Sequence, residues 1–179
     1  TRINNPTIAA FEQRMTVLEG GIASVACASG MAAITNALLN IVRSGEEIVA
    51  STSLYGGTID LFHDMEAFGI KTNFVDGNDL DAVRAAVNDK TRVIFAETIG
   101  NPKLDVIDIE ALSELAHEYQ VPLVIDNTVA TAYLVKRNGF LLALTLIAHT
   151  VESCHQIGEA FVLHVWQLEE FVISHFENT

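Results

Sequence analysis

Three short stretches carry residue types that together could hold a flat, phosphorylated, nitrogen-containing ring: Ser29-Gly30-Met31, Tyr55-Gly56-Gly57 and Asp126. Ser29-Gly30 lies where an apolar strand-like run passes straight into a helix. Its N–H groups and the positive end of the helix dipole could hold a phosphate, with Gly30 allowing close backbone approach. Tyr55 precedes a glycine pair, and a tight turn there could present its ring for stacking against a flat face. Asp126 ends the run VPLVIDN, where a carboxylate could pair with a protonated ring nitrogen and so strengthen an electron sink for carbanion chemistry. Taken singly, each also reads as something ordinary: a strand-to-helix turn, an anchored turn residue, a helix cap.

The elements that must position these residues follow from periodicity. TIAAFEQRMTVLEGG, after Pro6, spaces Ile8, Phe11, Met15 and Leu18 as a helix does, with Pro6 at a first helical position and Gly20-Gly21 past the end. IASVACAS reads as a short buried strand and GMAAITNALLNIV as an apolar helix closing at Ser44-Gly45. EEIVAS, KTNFVD, TRVIFAE and VPLVIDN read as further strands. They alternate with helices over 57–68, NDLDAVRAAVN (opened by an Asn or Asp cap) and DIEALSELAHEYQ, whose first turn Asp108 heads. Strands alternating with helices predict an α/β layer with a mainly parallel sheet flanked by helices, and ligands in such sheets gather beyond the carboxyl ends of the strands. All three chemical stretches fall at such ends.

Past Lys136 the texture changes. GFLLALTLIAHT is apolar without clear periodicity, VESCHQIGEAFV is ambiguous, and VWQLEEFVISHF is a candidate amphipathic helix. Neither Lys nor Arg occurs after Arg137.

Composition narrows the function classes. Across 179 residues, 23 acidic against 10 basic side chains give a formal net charge of −13, which argues against nucleic acid and anionic membrane as partners. The length suits one domain. Cys27 and Cys154 have no CxxC spacing, so a reducing, cytoplasmic setting is expected, with neither disulfides nor a zinc ribbon. No apolar run approaches a membrane span, and the opening on Thr1 without Met is what a fragment would show. His149, Cys154, His155, His164 and His175 cluster late in the chain at spacings that fit no zinc or facial-triad pattern, so no metal site is expected.

Read in order, TRINNPT, ASGMAAI, SLYGGT, ETIGNPKLDVIDIEAL and VPLVIDNTVAT closely resemble the Cys/Met-metabolism family of enzymes dependent on pyridoxal 5′-phosphate (PLP). The resemblance covers residues 1 to about 135. It implies the large domain of a fold type I, aspartate aminotransferase-like transferase, incomplete here: residues 1–136 as a partial PLP-binding domain and 137–179 as a divergent tail with no separate domain assigned. By resemblance, Ser29 and the backbone of Gly30 and Met31 would bind the phosphate. Tyr55 would stack on the ring and assist as an acid/base, Asp126 would hold the ring nitrogen, Asn101 would neighbour the ring hydroxyl, and Thr128 would follow Asp126 in the site. Arg2 matches an arginine that reaches across a dimer to the partner's phosphate. RINNPT, LYGGT and the IGNP loop most resemble the branch that replaces the acetyl group of an activated homoserine by sulfide or a thiol, with branches that make cystathionine or cleave methionine as close competitors. An amino-acid substrate and a homo-oligomer, dimer or tetramer, are implied.

The pattern then breaks off. The family places a serine-x-threonine-lysine motif after the last of these stretches, and its lysine links covalently to PLP and shuttles protons. Counted on from Asp126 at the family's usual spacing, it would fall near Val151, after Thr150; the lysines of this chain are Lys71, Lys90, Lys103 and Lys136. The tail has the look of a frameshifted or truncated product. The chain as written is expected to be inactive or nearly so, or to serve as a non-catalytic PLP-binding or homologue-associating protein. Apolar surface around 140–147 is expected to promote self-association.

Overall fold

The computed structural model describes residues 5–135 and, as strands, residues 143–149 and 160–165. Helix α1 (Pro6–Glu19) opens on Asn5, whose Oδ1 accepts from the N–H groups of Thr7 and Ile8 at 3.0 and 3.3 Å, with Pro6 at the first position where no N–H is needed. It closes on Gly20 at φ 66°, the left-handed conformation that a residue without Cβ adopts freely. There follow β1 (Ala23–Cys27), α2 (Gly30–Ile41), β2 (Glu47–Ser51), α3 (Gly56–Glu66), β3 (Lys71–Val75), α4 (Leu80–Ala86), β4 (Thr91–Glu97), α5 (Ile109–Glu118), β5 (Leu123–Asp126), α6 (Thr131–Leu134), β6 (Ala143–His149) and β7 (Ala160–Val165). Asp79 caps α4 through its side chain, one of the Asn or Asp caps expected there, and Asp108, expected to head the first turn of α5, stands just before it as the cap.

The strands form one sheet in the order β1-β7-β6-β5-β4-β2-β3. Pairing is parallel from β3 through β6, and β7 runs antiparallel to both of its neighbours. The mainly parallel sheet with flanking helices is therefore the architecture. Side chains alternate between its faces. Ile48, Ala50, Val93, Phe95 and Val124 pack on one side with Ala33, Ile34, Ala37 and Leu38 of α2 and Phe62 and Met65 of α3. Val49, Ile94, Ala96, Leu123 and Ile125 pack on the other with Val83 of α4 and Leu112, Leu115 and Ala116 of α5.

Two sequence expectations are altered. The IASVACAS strand is not buried: β1 is the sheet's edge strand, and Val25 is 53% exposed. Helix α2 ends at Ile41, short of Ser44-Gly45, with Val42 in extended conformation as its cap. The candidate helix VWQLEEFVISHF has its first residue in β7 and otherwise lies outside the described residues. Among the described residues no helix is long and apolar enough to cross a membrane.

Candidate functional site

Strand direction gathers the chemistry on one edge. β1 is antiparallel to β7, which is antiparallel to β6, so β1 runs with β6, β5, β4 and β2, and their carboxyl ends share an edge. The two-residue period that sends Val93 and Phe95 toward α2 and α3 continues to Glu97, and that of Val124 continues to Asp126. Glu97 and Asp126 are direct register partners in the parallel β4–β5 pair. Both carboxyl groups thus leave the sheet edge on the side that carries α2 and α3.

Asp126 is partly buried, and its Oδ1 accepts from the Thr128 N–H at 2.9 Å and the Thr128 hydroxyl at 2.5 Å. Burial pushes its carboxyl above the ordinary value although both Thr128 bonds pull the other way. Among the described residues Oδ2 accepts no hydrogen bond. A positively charged N–H placed at Oδ2 would relieve the cost of burying this charge.

Tyr55 occupies the cap position of α3 and is 56% exposed. Its N–H donates to Glu97 Oε1 at 2.7 Å. Its ring folds back over Gly57, where an added Cβ would stand 2.6 Å from Tyr55 Cε1, so any side chain at 57 would displace the ring. Ser29 caps α2 by accepting from the Ala32 N–H at 3.1 Å. The N–H groups of Gly30 and Met31 point out of the first turn of this 12-residue helix and have no partner among the described residues. Unpaired N–H groups at a helix start are suited to an anion.

Asn101 is exposed in the turn after β4, and Asp105 Oδ1 and Ser53 stand so close to Gly100 that a side chain there would collide with them. Arg2 and Lys136 lie outside the described residues, as do the side chains of His149, Cys154, His155, His164 and His175. Among the described residues no three or more metal-ligating side chains come together.

Glu97 was not singled out by sequence reasoning. It is 7% exposed, and its carboxyl is pushed up to about 7, first by burial and further by Asp126, against the Tyr55 N–H, which lowers it. The alternation of TRVIFAE was the available signal: continued to its last residue, it places an acid on the same face as Asp126.

Residues 1–146 match the family described as Cys/Met metabolism PLP-dependent enzyme. The chain is 57% identical over 136 residues to an O-acetyl-L-homoserine sulfhydrylase of Leptospira meyeri, covering 75% of this chain and 31% of that protein. It is 42% identical over 153 residues to an L-methionine gamma-lyase of Fusobacterium nucleatum subsp. polymorphum, covering 84% and 38%. The solved structure of the O-acetylhomoserine sulfhydrylase of the Wolinella succinogenes methionine biosynthetic pathway superposes with a TM-score of 0.84 at 37% identity, over 90% of this chain and 46% of that one. The chain spans about a third of the length of the curated relatives it matches.

Proposed function

Because the chain belongs to the Cys/Met metabolism family of PLP-dependent enzymes, we propose that it carries the ring and phosphate side of a PLP site built for exchange at the γ-carbon of O-acetylhomoserine. In that reaction acetate leaves and sulfide or a thiol takes its place, giving homocysteine or methionine. PLP supplies, when bound, the electron sink that such chemistry needs. The protein's own residues do the rest. Gly30 and Met31 donate backbone N–H groups to the phosphate, with Ser29 beside them at the helix start. Tyr55 stacks on the ring and moves a proton at its hydroxyl, Asp126 Oδ2 holds the ring nitrogen, Thr128 orients Asp126, and Asn101 neighbours the ring hydroxyl.

The observation that carries this reading is Asp126: a partly buried carboxylate with both hydrogen bonds on one oxygen and the other oxygen open, on the sheet edge that also bears Tyr55 and the start of α2. The preference for O-acetylhomoserine over methionine rests on the higher identity to the sulfhydrylase.

A chimera tests the substrate. Residues 1–135 of this chain, joined to the remainder of the Leptospira meyeri enzyme, are expected to bind PLP and to form homocysteine from O-acetylhomoserine and sulfide. A chimera that binds PLP yet releases methanethiol from methionine in preference would overturn the assignment.

The chain itself has no lysine where the family places its covalent link, so it is proposed to hold PLP by non-covalent contacts alone. Borohydride treatment of the PLP-loaded chain is expected to leave no stoichiometric pyridoxyl label on the protein. A full label that disappears in Lys136→Ala would mean that Lys136 has taken over the link.

A further inference from the structure

Glu97 is buried at the end of β4 with its carboxyl reaching to the backbone of a residue 42 positions earlier. Nothing in the ordinary packing of the sheet needs an acid there, and a buried carboxyl is costly unless something uses it. Among the described residues two polar groups act on it. One is the Tyr55 N–H, its hydrogen-bond donor; the other is Asp126, beside it in the β4–β5 register. The next residue, Thr98, ties the same strand end to Asp126 by donating its N–H to the Asp126 carbonyl at 3.0 Å, with its hydroxyl at 3.4 Å from the same oxygen.

We propose that Glu97 is a positioning residue of the ring pocket: its carboxyl group fastens the turn that carries the Tyr55 ring to the end of β4, and so sets the gap between that ring and the Asp126 carboxylate. The inference rests on the PLP reading of the site.

The geometry explains why a carboxyl does this work. Tyr55 begins α3 without any side-chain cap, at φ −56° and ψ 137°, and its carbonyl already serves the N–H groups of Thr58 and Ile59. Its own N–H faces away from the helix and would be left unpaired without an acceptor from outside α3. Glu97 is that acceptor. β4 lies between β2, from which the Tyr55 turn departs, and β5, which ends in Asp126. The pair Glu97-Thr98 therefore stands where one strand end reaches both sides at once. Close to neutral pH the Glu97 carboxyl is in part protonated, which spares Asp126 a second full charge in the adjacent row.

Three readouts on the whole chain test this. First, the Tyr55 amide proton shift in NMR is expected to titrate with a midpoint near pH 7, where Glu97 ionises beside Asp126 on β5, and to stop titrating in Glu97→Gln. Second, Glu97→Ala is expected to weaken PLP binding about tenfold, as loss of one hydrogen bond to a charged group would. Glu97→Gln, which keeps an acceptor oxygen, should restore binding to within about twofold of the parent. Third, Tyr55→Ala should weaken PLP binding in the parent chain yet have little further effect in the Glu97→Ala background, because the two act through one ring position.

Independent, additive effects of Tyr55→Ala and Glu97→Ala, or a Gln variant as poor as the Ala variant, would overturn the proposal. So would a Tyr55 amide that ignores pH. If the parent chain binds no PLP while the Tyr55 amide still titrates, the cofactor reading of the site fails and the Glu97–Tyr55 tether stands.

Discussion

Asp126→Asn is expected to weaken PLP binding about 10- to 100-fold while leaving the protein at least as stable at pH 8. The first part follows from a charge-assisted hydrogen bond worth about 1.5–3 kcal/mol, with about 1.4 kcal/mol for each tenfold in affinity. The second follows from burial. In the folded chain the Asp126 carboxyl holds its proton more tightly than its ordinary value of 3.8 would allow, so the folded state binds more protons than the unfolded one as pH rises past that value. Stability is then full below the unfolded value and is lost as pH rises through the folded one. Asparagine removes the penalty and keeps an oxygen for the Thr128 N–H. The gain in thermal midpoint over the parent should be larger at pH 8 than at pH 4. Glu97 contributes with the same sign over its own window, from 4.5 to about 7. Equilibrium PLP titration and thermal melts at the two pH values measure both parts. An Asn variant that binds PLP like the parent would remove Asp126 from the ring nitrogen, and a lower midpoint at pH 8 would mean that the Thr128 turn depends on the anion.

Phe62→Ala should cost about 3–5 kcal/mol, the range for deleting a fully buried aromatic ring from a core. Phe62 has no exposed surface; it meets Phe95 edge-on with ring centroids 5.1 Å apart and leans on Phe74 at 6.1 Å. Such contacts hold α3 against β4 and β3, two residues above Glu97 on the same strand face. The loss is a large share of the 5–15 kcal/mol typical of whole domains, so partial unfolding at ambient temperature is expected. Urea unfolding of the variant beside Phe62→Leu, which keeps most of the volume and should cost clearly less, measures the effect. Equal stability of the Ala variant and the parent would show that the site collapses without penalty, and α3 would then have to be held by other contacts.

The contrast between these residues marks how far the chain could be read before it folded. Asp126, Tyr55 and Ser29-Gly30 were legible because each sits at a boundary between patterns, where apolar alternation stops and a polar or small residue begins. Phe62 and the rest of the core were legible as types but not as partners, since contacts between α3 and β4 depend on strand order. Glu97 was legible as an acid closing the alternation of TRVIFAE, but its role was not, for the same reason. Its role comes from standing between β2 and β5 in space, and β4 follows β3 in sequence but pairs with β2. The exposure of β1 was misread because ASVAC has the composition of an interior strand, whereas edge or interior is settled by what pairs alongside. The apolar, aperiodic stretch after Lys136 contains β6, a strand with neighbours on both sides, where a period of two is not required.

The place of β7 has a consequence in time as well as in space. Among the described strands β1 joins the sheet through β7 alone, with Cys27 opposite Phe161 and Ala23 opposite Val165. β2, which leads into the Tyr55 turn, and the strands that end in Glu97 and Asp126 pair over much shorter stretches of chain. During synthesis the ring side of the site can therefore close while β1, made before any of them, still lacks its neighbour in the sheet. Contacts so far apart in sequence form late and slowly. The start of α2, where a phosphate would bind, hangs directly from that waiting strand, so the cofactor's two ends would meet surfaces completed at different moments.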